Sequence, residues 1–114
     1  MEAFPREIRI YETEDGRRPF DEWMDTLEAN PIYETIMVRL DRVERGNLGD
    51  TNPVGEGVSE FVFDDGPGYR LYYGVVGKRG ELVILLNGGE KKTQTADIKL
   101  AKKHWENFEN DEEK

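Results

Sequence analysis

The chain has 114 residues, of which 36% are hydrophobic and 36% charged, and its formal net charge is -9. That length makes one domain with a modest core and excludes two independent ones. The lack of cysteine removes disulfides and thiolate metal sites, a lone histidine leaves no recognisable ligand set, and no apolar run approaches the roughly 18 residues of a membrane span.

Met1 to Pro5 lacks the basic and then apolar stretch of a secretory signal, which together with the missing cysteines points to the cytoplasm. Glu7 to Thr13 is predicted as a first strand, with Ile8 and Ile10 on one face and Glu7, Arg9 and Tyr11 on the other. Asp15-Gly16 breaks it. Pro19 to Leu27 is predicted as a helix, because Pro19 suits an early helical position and Phe20, Trp23, Met24 and Leu27 recur at helical spacing. A second helix runs from about Ile32 to Glu44 on the stripe Ile32, Ile36, Leu40 and Val43, with Gly46 as its stop. Asn47 to Gly57, rich in glycine and proline, is predicted as a loop.

Strands follow at Val58 to Phe63, Tyr69 to Val76 and Leu82 to Leu86, joined by short glycine-containing turns, and Gly88-Gly89 is expected to end the last. In the first of these, Val58, Glu60 and Val62 share a face. In the second, Arg70 and Tyr72 share one face while Leu71 and Tyr73 share the other. A last helix is predicted from about Ala96 to Phe108, with Ile98, Ala101, Trp105 and Phe108 as its buried stripe. The order β-α-α-β-β-β-α predicts an α+β fold, a small, twisted, mainly antiparallel sheet with the helices packed on one face. Residues 1–109 form the single domain, and residues 110–114 are expected to be an acidic, disordered tail.

Charge is unevenly spread. Residues 1–50 hold 13 acids against 7 bases, whereas residues 70–105 hold 8 bases against 3 acids. The overall acidity argues against a nucleic-acid partner, and the basic segment is either a solvated helix face or a local exception to it. Within that segment the chemistry-bearing constellation is Arg70, Tyr72, Lys91, Lys92 and Asp97. A meander brings Lys91 and Lys92 near the start of the Arg70 strand. An arginine is costly to bury without an anion. Either Arg70 pairs with Glu60 across the hairpin and the lysines are merely solvated, or the site is open to a phosphodiester and Tyr72 stacks a base. RNA can be cut there without a metal. The ribose 2′-hydroxyl attacks phosphorus, a base takes its proton, Arg70 steadies the phosphorane, and a lysine or Tyr72 serves proton transfer. His104 is read as structural, and Gly66-Pro67-Gly68 and Gly88-Gly89 as turns without a phosphate-loop pattern.

The ordered series Pro19-Phe20-Asp21-Glu22-Trp23, Arg39-Leu40-Asp41-Arg42, Gly46-Asn47-Leu48-Gly49-Asp50, Gly55-Glu56-Gly57-Val58-Ser59-Glu60, Gly66-Pro67-Gly68-Tyr69-Arg70-Leu71-Tyr72-Tyr73, Leu85-Leu86-Asn87-Gly88-Gly89-Glu90-Lys91, Gln94, Asp97-Ile98 and Ala101-Lys102 resembles the RelE/ParE superfamily of toxins from type II toxin–antitoxin systems. The likeness is closest to the addiction-module killer proteins and covers about residues 6–108. It implies a RelE-like α+β domain that cleaves messenger RNA in the ribosomal decoding site. It also implies neutralisation by a helix-turn-helix antitoxin encoded beside it, with no cofactor, no metal and no membrane partner. The resemblance implies roles for Arg70, for Lys91 with Lys92 as its neighbour, and for Asp97. With Tyr72 from the strand alternation, the candidate catalytic residues are Arg70, Lys91, Tyr72 and Asp97, and the candidate RNA-binding ones are Lys92, Lys99, Lys102 and Tyr73. The chain departs from the family in two ways. Val62 stands where relatives often carry a basic residue, and relatives are usually basic overall. Some superfamily members instead inhibit DNA gyrase. The alternatives are thus a gyrase inhibitor, or a non-catalytic toxin-like protein that binds an antitoxin or another protein.

Overall fold

The alternation predicted between residues 58 and 86 is realised in a computed structural model of the chain, which describes residues 4–112. The elements are β1 (Glu7–Ile10), α1 (Pro19–Thr26), α2 (Ile32–Glu44), β2 (Thr51–Gly55), β3 (Val58–Phe63), β4 (Tyr69–Val76), β5 (Leu82–Glu90), a single 3-10 turn (Lys91–Thr93) and α3 (Gln94–Glu112). The bounds of α2, β3 and β4 are those predicted. α2 starts where the Asn30 Oδ1 accepts the Ile32 N–H at 3.0 Å. It ends where Gly46, at φ 102, lets the N–H groups of Gly46 and Asn47 bond back to Val43 and Arg42.

The five strands lie in the order β1-β5-β4-β3-β2. β2 through β5 are antiparallel neighbours, and β1 joins β5 in parallel, Glu7 beside Leu82 and Ile10 beside Leu85. Residues 47–57 are therefore not wholly a loop. Thr51–Gly55 adds an edge strand on β3, with Pro53 opposite Ser59. An edge position tolerates proline because one side of the strand needs no donor. Gly88-Gly89 does not end β5, which continues to Glu90 beside Tyr69. The tail also begins later than expected. α3 extends through Glu112 without meeting a glycine or proline, and residues 113–114 lie outside the described residues.

The helices do not share one face. Phe61, Phe63, Tyr69, Leu71, Tyr73, Val83 and Leu85 pack against Phe20, Met24, Leu27, Ile32, Ile36, Leu40 and Val43 of the α1–α2 hairpin. Val58, Tyr72, Ile84 and Leu86 pack on the opposite face against Ala101 and Trp105 of α3. The reason is in β5. Its continuous apolar run presents hydrophobic side chains on both sides, and a sheet with two apolar faces needs a covering layer on each. Gly74 serves this packing, since a Cβ there would collide with the Trp105 ring. No helix among the described residues is long and apolar enough to cross a membrane.

Candidate functional site

The site lies on the α3 face of the sheet, where β3, β4 and β5 meet the start of α3. Strand register builds it. Arg70 stands between Val62 of β3 and Gly89 of β5, and Tyr72 stands opposite Glu60. Lys91 is tied to the turn before β4 by its N–H, which bonds the Gly68 carbonyl at 3.0 Å. Gly68, at φ 83, carries no side chain between its neighbours. A Cβ there would stand 3.3 Å from the Lys91 Cβ and 3.9 Å from the Arg70 Nη1. A Cβ at Gly89 would collide with the Asp97 carboxylate, so the glycine lets that acid sit over the sheet.

Arg70 is buried, at 7% exposure. Its Nη1 donates to the Tyr69 carbonyl at 2.9 Å, while its Nε has no hydrogen-bond partner. Two carboxylates flank it, each at 3.8 Å: the Glu60 Oε2 from Nε and the Asp64 Oδ1 from Nη1. Those distances exceed the ~3.2 Å limit of a good N–H···O bond, so the guanidinium is neutralised by charge without being saturated by hydrogen bonds. Glu60 is itself held, since the Gln94 Nε2 donates to its Oε1 at 2.8 Å. Pairing across the hairpin is thus realised, but diagonally and without the bidentate geometry of a closed structural bridge.

The candidate residues divide. Arg70, Tyr72, Lys91 and Asp97 are brought to one corner of the fold. Lys91 and Lys92 are exposed there, with the Lys92 Nζ 3.8 Å from the Glu90 Oε1. Asp97 is half-buried. Its carboxylate accepts the Thr93 hydroxyl at 2.5 Å, and its backbone carbonyl accepts the Asn87 Nδ2 at 3.2 Å. Tyr72 is fully covered, and its hydroxyl has no partner. Burial, reinforced by the charges of Glu60 and Asp97, pushes its pKa up, with Arg70 pulling against them. The phenol therefore stays protonated at neutral pH, and its burial keeps it from stacking on or touching an RNA strand. Lys99 and Lys102 lie apart from this corner. They line a groove of about 650 Å³ with Glu56, Thr95, Ile98 and Glu106.

Tyr73 is on the wrong side for RNA. It lies in the α1–α2 core at 3% exposure, stacks on Phe61 at 3.9 Å, and shares a 2.5 Å hydrogen bond with the Thr51 hydroxyl. The alternation that put Arg70 and Tyr72 together already put Tyr73 opposite them. His104 behaves as a structural residue. It is half-buried, its ring lies 4.9 Å from that of Tyr11, and burial lowers its pKa. Gln94, Thr93 and Asp64 were missed as site residues. The first two enter from the start of α3 and the third from a turn, where strand periodicity carries no signal.

No family model matches the chain. A Haemophilus influenzae (strain Rd) protein described only as "Uncharacterized protein" is 43% identical over 83 residues, spanning 73% of this chain and 82% of that protein. The chain belongs to the same family. An identity of 43% over that span carries the fold between the two chains.

Proposed function

We propose that the chain is the toxin of a type II toxin–antitoxin module. It would be a RelE-like, metal-independent endoribonuclease acting on messenger RNA in the ribosomal decoding site and neutralised by a helix-turn-helix antitoxin. The observation that carries this reading is the state of Arg70. It is a buried guanidinium that spends one hydrogen bond on the Tyr69 carbonyl, has an unpartnered Nε, and is separated from Lys91 only by Gly68. Such a group is suited to an anion that brings its own hydrogen-bond acceptors. In the reaction, the 2′-oxygen forms a bond to phosphorus and the bond to the 5′-oxygen breaks, leaving a cyclic phosphate and a 5′-hydroxyl. Arg70 neutralises the phosphorane. Asp97 is assigned as acceptor of the 2′-proton, and Lys91 as donor to the leaving oxygen. Lys92, Lys99 and Lys102 would follow the RNA backbone away from the cut.

A second reading, a non-catalytic toxin-like protein that binds an antitoxin, is favoured by a specific observation. The Arg70 side chain is only 9% exposed and stands between two carboxylates, with Val62 opposite it. The two readings separate on expression without an antitoxin. The nuclease reading expects growth arrest that Arg70→Ala and Lys91→Ala each relieve, with supercoiling intact. Harmless expression of a folded chain that still retains a helix-turn-helix partner supports the binding reading. Arrest with failed supercoiling and intact translation extracts supports gyrase inhibition.

A further inference from the structure

We infer that the Asp64 carboxylate occupies the anion position on Arg70, so that a phosphate group enters the site only by displacing it. The inference deepens the reading of Arg70 as a phosphate grip and rests on it. The two carboxylates near the guanidinium stand at the same 3.8 Å but are not equivalent. Glu60 is 8% exposed at its side chain, lies within β3 and is fixed by Gln94 at 2.8 Å. Asp64 is 79% exposed at its side chain and begins the turn between β3 and β4. No hydrogen bond holds its carboxylate among the described residues. One acid is part of the frame, and the other is a removable cover.

The space around Asp64 permits the exchange. A Cβ at Gly66 would meet nothing within 4 Å, so this side of the turn is open to solvent. Gly68 keeps the gap between Arg70 and Lys91 clear of a side chain. Val62, directly across from Arg70, offers no competing acceptor. An exposed carboxylate that holds no hydrogen bond is a weak and salt-screened partner for a guanidinium. A phosphate makes paired, charge-assisted hydrogen bonds to the same group and adds a contact to Lys91. Asp64 therefore sets a threshold. A single phosphate competes directly with the tethered carboxylate, whereas a phosphodiester held by several cations displaces it more fully. The device lets an acidic protein keep a buried cation neutral until a phosphate chain arrives.

The test uses inorganic phosphate, read at the Arg70 Nε–H signal by NMR, on the full chain and on Asp64→Asn and Asp65→Asn. Asp65 is the control, because it sits in the same turn but forms no ion pair with Arg70 among the described residues. Asp64→Asn is expected to tighten phosphate binding about fivefold, the factor matching one exposed charge contact, and Asp65→Asn by less than about twofold. Equal effects of the two variants, or weaker binding in Asp64→Asn, overturn the inference. If no variant binds phosphate at Arg70 while growth arrest still depends on Arg70, the cover is wrong and the toxin reading survives. If Asp64→Asn gains affinity but no variant cuts ribosome-bound RNA, the cover stands and the nuclease reading falls.

Discussion

The two faces of the sheet are built to different rules. On the α1–α2 face the buried hydroxyls are paired: Tyr69 accepts from the Asn30 Nδ2 at 3.2 Å, and Tyr73 shares its proton with Thr51. On the α3 side lie four buried polar atoms without partners, the Arg70 Nε, Tyr72 hydroxyl, Asn87 Oδ1 and His104 Nδ1. A fully apolar, satisfied interface is what stability alone favours. Unpartnered polar groups are concentrated on the α3 side, the side on which Arg70 and Tyr72 lie. Both faces hold a core, but only the α3 face leaves buried polar groups unpaired, and that is the face of the proposed site.

Four tests sharpen or break that comparison. The largest effect is expected from Phe61→Ala on the dry face. Phe61 has no exposure and stacks on Tyr73, so its loss should cost about 3–5 kcal/mol in denaturant unfolding. Arg70→Ala should cost about 3 kcal/mol, because it leaves Glu60 buried without its cation. Adding Glu60→Gln to that variant should restore part of the loss, and a double mutant that is merely additive would show that the two groups are not coupled.

The tyrosines give a smaller and more pointed contrast. Tyr73→Phe should cost about 1 kcal/mol through its hydrogen bond to Thr51, whereas Tyr72→Phe should be neutral or stabilising because its hydroxyl is unpartnered. The reverse order would erase the distinction between the faces. The smallest effect concerns His104. Burial, and after it the Arg17 charge, lowers its pKa in the fold below the ordinary 6.5. The unfolded chain then binds the proton more readily. The stability this group contributes is fully present above pH 6.5 and is lost as pH falls through the lowered folded value. Unfolding measured at pH 7 and pH 5 should show the parent chain losing more stability than His104→Gln. Equal losses would remove His104 from the titrating groups.

Much of this was legible in the residues. The helical stripe Ile32, Ile36, Leu40, Val43 sets α2 to the residue, because its one buried face leaves a clean period. β3 and β4 are buried on both faces, and the glycine-containing turns at their ends mark their bounds. Alternation along β4 grouped Arg70 with Tyr72 and separated Tyr73 from both. β2 was hidden by Pro53 and Gly55, which read as loop until an edge position makes them harmless. The parallel pairing of β1 with β5 joins residues some 75 positions apart and has no local signature. The side that α3 covers follows from Leu82–Leu86 being apolar on both faces, a signal present in the chain but readable only once two layers are considered. At the site, Gln94 reaches Glu60 from a helix start and Asp64 reaches Arg70 from a turn, which no strand period predicts.

Arg70, with Lys91 beside it, is proposed to grip a phosphate of ribosome-bound RNA. The direct measurement is to add the purified chain to pre-assembled ribosome complexes and to map breaks in the bound messenger. The account predicts cuts within the decoding site, absent in folded Arg70→Ala and Lys91→Ala. Intact messenger with the parent chain, or cuts that persist undiminished in Arg70→Ala, would contradict it.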